Sequence, residues 1–388
     1  VSAAYFHVPF CLRKCGYCDF YSVADSEGSA RQAAFVDALI REIDDRVAGS
    51  ALTPATVFVG GGTPTLLTPP QWSRLLAAMR GRGLLDRVTE FTVEANPETV
   101  TPALLGVLAD GGVNRLSIGA QSFDRATLDA LDRWHDPANV DRAVALARDA
   151  GIGNFNLDLI FAVPGQTLDA LDRDLDRLLA LDPPHVSCYG LTYEPNTPMT
   201  VRLGRGEFTP APEPLEAAMY ARVIDRLEAA GYEHYEVSAF AKAGSAARGP
   251  GSVEGGSDGT RATGPATRCQ HNLTYWTTGQ WLGFGPGAAS HVGGQRWKNA
   301  PRVETYTRTS PDHPVVDHEV LTPEQRRAER LMMGLRLREG VPADQDVTAR
   351  QRDADRLAGL GLVELVADRL RLTRRGLMVA DGVIAELV

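Results

Sequence analysis

Six short runs of β-branched and apolar residues recur through the first half of the chain, at Tyr5–Val8, Thr56–Val59, Glu90–Ala95, Arg115–Ile118, Asn154–Phe161 and His185–Leu191. A polar or glycine-rich turn follows each run. Between runs lie stretches whose apolar positions recur every three to four residues. The first starts at Ser29, which has capping-box spacing to Gln32, and then puts Val36, Ile40, Ile43 and Val47 on one face. Thr68-Pro69, Thr101-Pro102 and Asp136-Pro137 each read as an N-cap followed by proline at the first helical position. Gly111 and Gly151 stand where helices are expected to stop. Six strand–helix units in series predict an α/β fold with a parallel sheet, either open and doubly wound or closed towards a barrel. In both, ligands gather at the C-terminal ends of the strands.

After Leu191 the pattern changes. Residues 192–215 are a proline-rich connection, and a helix is expected from about Leu215 to Ala230. Residues 243–268 hold seven glycines and a single large aliphatic, Val253, which predicts a flexible insertion. From about Val315 a separate small unit is expected. A helix starts at Thr322, Pro323 and Gln325 and runs to about Leu337, and a second covers Ala349–Leu360. A hairpin turning at Ala367-Asp368 and a last helix follow, an order that resembles a winged helix. This divides the chain into 1–195, 196–314 and 315–388.

The 388 residues carry a net charge of −9, with 44% hydrophobic and 23% charged residues. That is ordinary globular usage. Neither a membrane-length apolar run nor a secretory signal is visible, so a cytoplasmic protein is expected, with peripheral membrane association and a homodimer left open. The acidity argues against a dedicated nucleic-acid partner.

Three of five cysteines, Cys11, Cys15 and Cys18, fall within eight residues just after the first strand, in C-x3-C-x2-C spacing. Sparse, clustered thiols point to metal rather than disulfides. The spacing leaves two readings: an iron–sulfur cluster, or zinc completed by a distant histidine. The lack of a second cysteine pair favours the cluster.

The segment "YFHVPFCLRKCGYCDFYS" resembles the cluster loop of radical S-adenosylmethionine (SAM) proteins. More narrowly, it is similar to the branch that holds the oxygen-independent coproporphyrinogen III oxidases and the HemW heme chaperones. The resemblance implies a partial (βα)6 TIM-like barrel. It also implies a [4Fe–4S] cluster on Cys11, Cys15 and Cys18 with SAM bound at the open iron; the superfamily cleaves SAM on reduction to a 5′-deoxyadenosyl radical, and the sequence leaves open whether this chain cleaves it or only binds it. "VFVGGGTPTLL" places Gly60, Gly61, Gly62 and Thr63 after a strand, where the family contacts the methionine part of SAM. Glu94, Gln121, Arg133 and Asp158 match SAM-contacting polar positions, and Tyr5 and Tyr17 match aromatic positions beside the cluster. His7 reads as structural or near the substrate cavity.

Within that branch the oxidases carry a fourth cysteine where this chain has Phe20, and an N-terminal extension, whereas this sequence opens four residues before Tyr5. "CQHNLTYWTTGQW" holds His271, Asn272, Tyr275 and Trp276, an HNxxYW pattern that resembles the HemW signature. Imidazole can ligate heme iron, and aromatic rings can lie against a porphyrin. Cys269 and His291 are weaker axial candidates, and Cys188 reads as a packed small hydrophobe. The expected function is a heme chaperone that binds heme and passes it to an acceptor protein, without coproporphyrinogen III oxidase activity. The alternative is that oxidase, which decarboxylates two propionates to vinyls. A third reading is a redox or metal sensor that uses Arg369, Arg371, Arg374 and Arg375 of the tail on DNA.

Overall fold

All six expected strands form, and all are parallel, in a computed structural model that describes residues 1–48, 52–242, 267–312 and 314–388. They are β1 (Ala3–Val8), β2 (Thr56–Gly61), β3 (Glu90–Ala95), β4 (Arg115–Gln121), β5 (Asn154–Phe161) and β6 (His185–Gly190), hydrogen-bonded in chain order. Helices α1 (Ala30–Val47), α2 (Pro69–Gly81), α3 (Pro102–Asp110), α4 (Ala138–Asp149) and α5 (Leu168–Ala180) make the crossovers, and α6 (Glu213–Ala229) follows β6.

Local chemistry sets the helix starts. The Ser29 hydroxyl accepts the Gln32 N–H, Thr68 forms a full capping box with Gln71, and Thr101 accepts from Leu104. Two expected caps are corrected in detail. Gln32 reaches back to the Gly28 N–H at 2.9 Å rather than to Ser29. Asp136 sits one residue further out than expected, because α4 begins at Ala138, whose N–H bonds to the Asp136 carboxylate at 2.9 Å.

The strands are two-faced. Phe6, Val57, Val59, Phe91, Val93, Leu116, Ile118, Phe155, Leu157 and Val186 point outward and form one apolar core with the helices. Cys188 lies on that outer side, packed as a small hydrophobe. The alternate residues point inward and are mostly polar, so the space they enclose is a chamber rather than a packed core.

The sheet does not stop at six strands. On the far side of β6 it adds β8 (Ala239–Lys242) and then β7 (Tyr232–His234), both antiparallel. On the far side of β1 it adds β9 (Trp281–Phe284), which runs parallel to β1 in a pairing the periodicity did not reveal. The strands β10 (Ala289–Val292), β11 (Gln295–Asn299) and β12 (Val315–Val320) follow, for twelve strands in one sheet. A seven-residue helix, α7 (Gln270–Trp276), precedes β9. The insertion expected at 243–268 lies outside the described residues except for Thr267 and Arg268.

The start of the small C-terminal unit is corrected, since Val315–Val320 belongs to the large sheet as its edge strand. The unit itself holds α8 (Pro323–Gly334) and a three-stranded antiparallel sheet of β13 (Val341–Pro342), β14 (Val363–Val366) and β15 (Arg369–Leu372). The hairpin turns through Ala367 and Asp368, both at positive φ. Three of the four arginines named for it are matched by acidic side chains, Arg369 by Glu339, Arg371 by Glu364 and Arg374 by Asp225, while Arg375 donates to the Leu360 carbonyl.

Candidate functional site

A cavity of about 860 Å³ opens at the C-terminal ends of the strands and runs down into the barrel. At its mouth stand Cys11, Cys15 and Cys18. Thr63 donates its hydroxyl to Cys11 Sγ at 3.5 Å, and Arg133 donates to Cys15 Sγ at 3.3 Å and to the Gly119 carbonyl at 2.9 Å. Burial raises the Cys11 thiol above its ordinary pKa and pushes Cys18 up to about 11. Metal occupation must therefore displace protons. Among the described residues no three His, Cys, Asp or Glu side chains converge on one point as a single ion requires. Three thiols lining one cavity, with the Arg133 guanidinium against one of them, are the kind of donor set an iron–sulfur cluster takes.

The glycine turn has a steric reason. A Cβ on Gly60 would come within 2.7 Å of the Glu94 carboxyl, and one on Gly61 within 2.3 Å of the His7 ring. Gly61 also sits at φ 103°. Its freed N–H bonds to the Glu94 carboxylate at 2.9 Å. Burial raises Glu94 to about 7, against the pull of that N–H. Gln121 ends β4 at φ 63°, where the pairing with β5 slips between Gly119 and Gln121. A non-glycine residue held there lines the cavity, as backbone strain at ligand sites often does.

Of the residues expected to touch SAM, Tyr5, Tyr17, Gly61, Gly62, Thr63, Glu94, Gln121, Arg133 and Asp158 line this one cavity, and Gly60 does not. Desolvation raises the pKa of Tyr5, Tyr17 and Asp158. His7 is outside it but fixes it. Its Nε2 bonds to the Tyr21 carbonyl at 2.8 Å, so Nε2 carries the proton, and Nδ1 accepts the Tyr5 hydroxyl at 3.0 Å. Burial lowers His7 to about 4, which keeps this tautomer neutral.

The HNxxYW segment is the floor of the chamber. His271, Asn272 and Tyr275 line it from below, whereas Trp276 and His291 do not. Both ring nitrogens of His271 are engaged, Nδ1 with Thr56 at 2.9 Å and Nε2 with the Tyr275 hydroxyl at 2.8 Å. The ring stacks on Phe58 at 5.1 Å, and burial lowers its pKa to about 3. Cys269 is fully buried with its thiol towards Glu90. His291 donates Nδ1–H to the Gly279 carbonyl at 3.1 Å, and its buried Nε2 has no hydrogen-bond partner among the described residues.

Sequence reasoning missed the chamber wall. Glu90 accepts the N–H groups of Gln270 and His271 at 2.8 and 2.9 Å and so caps α7. The fully buried Arg115 feels Glu90 and Asp158. Asn156 donates to Asp158 at 2.7 Å and to Ser117 at 2.9 Å, and its carbonyl oxygen meets His185 and Ser187. His185 continues the network to the Tyr235 hydroxyl, which receives the Cys269 N–H. The period-2 alternation of Arg115, Ser117 and Gly119, or of Asn156 and Asp158, was the available signal.

Two family descriptions match the chain: the radical SAM superfamily over residues 5–178 and the HemN C-terminal domain over 321–379. The heme chaperone HemW of Mycobacterium tuberculosis H37Rv is 35% identical over 99% of this chain and 94% of that protein. The heme chaperone HemW of Bacillus subtilis 168 is 32% identical over 99% and 98%. The solved structure of the Escherichia coli coproporphyrinogen III oxidase HemN, a radical SAM enzyme, superposes with a TM-score of 0.78 at 20% identity. That match covers all of this chain and 90% of that one.

Proposed function

Because the chain belongs to the radical SAM superfamily and, within it, to the HemW heme chaperone family, we propose that it binds heme on this scaffold and delivers it to a heme-requiring acceptor protein. The observation that carries this reading is the full-length relation to heme chaperones. Phe20, 67% exposed at the cavity mouth where the oxidases have a fourth cysteine, supports it against the decarboxylase alternative. Among the described residues no helix is long and apolar enough to cross a membrane.

In this reading Cys11, Cys15 and Cys18 hold the [4Fe–4S] cluster. The Gly60–Thr63 turn, Glu94, Gln121, Arg133 and Asp158 receive SAM, with Tyr5 and Tyr17 against it. When bound, cluster and SAM together supply one-electron chemistry. The protein's own part is to orient SAM, to place Arg133 beside the thiolates and to exclude water.

Glu94 gives a pH signature. Its carboxyl is raised to about 7 from an ordinary 4.5, so between those values the folded chain holds a proton that the unfolded chain has released. Stability of the unliganded protein therefore falls as pH rises from about 4.5 to about 7 and levels off above, by a few kcal/mol at roughly 1.4 kcal/mol per unit. Glu94→Gln should flatten that segment in denaturant titrations run at pH 5, 6, 7 and 8. A cationic ligand favours the carboxylate, so SAM affinity of the native protein should rise through pH 7 and lose this dependence in the variant.

The heme assignment centres on α7 and its His271, Asn272, Tyr275 and Trp276. Axial ligation by His271 would require one of its two hydrogen bonds to break. The geometry instead suits His271 as a post that holds Tyr275 and the floor. In an anaerobic hemin titration of the cluster-reconstituted protein, saturable binding near one hemin per chain is expected. His271→Ala should keep the Soret maximum while weakening binding. A shifted maximum would make His271 the ligand, and His291, whose Nε2 has no partner among the described residues, is the next histidine to replace. No saturable binding by the native protein would remove the chaperone reading. Vinyl formation from coproporphyrinogen III would then install the alternative.

A further inference from the structure

A second cavity, of about 350 Å³, lies where the barrel meets the C-terminal unit. Its wall includes Leu273 and Thr277, on and just after the floor helix, and three arginines, Arg268, Arg338 and Arg371. Two of these cations are already matched, Arg268 by Glu233 and Arg371 by Glu364. The carboxylate of Glu339 is drawn off to Arg369. Arg338 is different: among the described residues it makes no ion pair, and it donates only to the Leu372 carbonyl, at 3.1 Å. Its backbone is pinned as well, since the Arg338 N–H bonds to the Tyr235 carbonyl at 3.0 Å and ties the two units together. Partial burial, with Arg371 beside it, lowers the Arg338 pKa against the opposing pull of Tyr220, Glu228 and Glu364.

From this arrangement we infer that the cavity is a carboxylate site centred on Arg338. Resting on the heme reading above, its occupant is a heme propionate. A guanidinium that is half-desolvated and lacks a carboxylate gains a charge-assisted, two-point hydrogen bond when one arrives. Heme presents apolar ring and carboxylates on one molecule. Here the partly buried Leu273 and the free cation stand on one wall, on the side of α7 away from the chamber. The same site could be filled by a free small dicarboxylate, which shares the chemistry.

Three probes separate these cases: hemin, hemin dimethyl ester and succinate, each titrated into the full-length cluster-loaded protein and its Arg338→Met variant. Hemin affinity should fall about tenfold in the variant, as expected for one charge-assisted contact. Dimethyl ester binding should be the same in both proteins. Arg338→Lys should recover most of the hemin affinity, and circular dichroism should show all variants folded. Equal hemin affinity in native protein and Arg338→Met, with no saturable succinate binding, overturns the proposal while leaving the chaperone reading intact. Saturable succinate binding lost in Arg338→Met, without a hemin effect, keeps the carboxylate site and assigns it to a free anion. A native protein that binds no hemin defeats the chaperone reading, and the succinate arm then decides the cavity by itself.

Discussion

Cys15→Ala should reduce bound iron from about four per chain to near zero and erase the broad visible absorption of the cluster. Of the three loop thiols, Cys15 is the most buried, at 6% exposure, and it is the one that Arg133 touches. In the proposed assignment its removal takes away one of three protein ligands. It also leaves the Arg133 guanidinium, buried against the Gly119 carbonyl, without its sulfur partner. No other thiol can substitute, because Cys188 lies on the helix-facing side of β6 and Cys269 is sealed beneath the floor. Cys188→Ala is therefore the matched control and should retain full iron. Undiminished absorption in Cys15→Ala, read by iron analysis and visible spectra after anaerobic reconstitution, would refute the ligand assignment.

The second large effect is on stability. Glu90→Ala should cost on the order of 3 kcal/mol, because it strips the N-terminus of α7 of its acceptor and takes a counter-charge from the fully buried Arg115. The contrast is Asp37→Ala. That residue pairs with Arg74 at the surface with both side chains about half exposed, and its loss should cost less than about 1 kcal/mol. Denaturant midpoints of the two variants give the comparison. A Glu90 variant no less stable than the Asp37 variant would mean that α7 is held by something other than this carboxylate.

Much of the fold was written locally. Ser29, Thr68, Thr101 and Thr322 cap their helices from within a few residues, and the six apolar runs become the six parallel strands. The cluster loop and the glycine turn were legible too, because a thiol triplet and a run of glycines need no partners to be recognised. What escaped depends on distant residues. Helix α7 is short and its N-cap, Cys269, makes no side-chain cap; its N–H groups are satisfied by Glu90, 180 residues earlier in the chain. Strand β9 reads as "WLGF" between glycines and becomes a strand only by pairing with β1. The strain at Gln121 has no local signature, since nothing in "GAQS" demands a positive φ. The letters also do not reveal that Thr56 and Tyr275 bond to the two ring nitrogens of His271.

The pairing of β1 with β9 sets an order of events during synthesis. The first strand acquires its partner on one side as soon as β2 emerges. The other edge waits for residues near Gln280, to which Ser2 bonds across a separation of 278 residues. Through that interval a buried, apolar strand presents an open row of backbone donors and acceptors, the kind of edge that recruits neighbouring chains. The floor is late for the same reason, since α7 emerges just ahead of β9. A nascent chain with all three loop cysteines in place thus has a chamber open at both ends. Growth conditions that slow translation between β6 and β9 should raise the aggregated fraction of this protein more than slowing within the C-terminal unit.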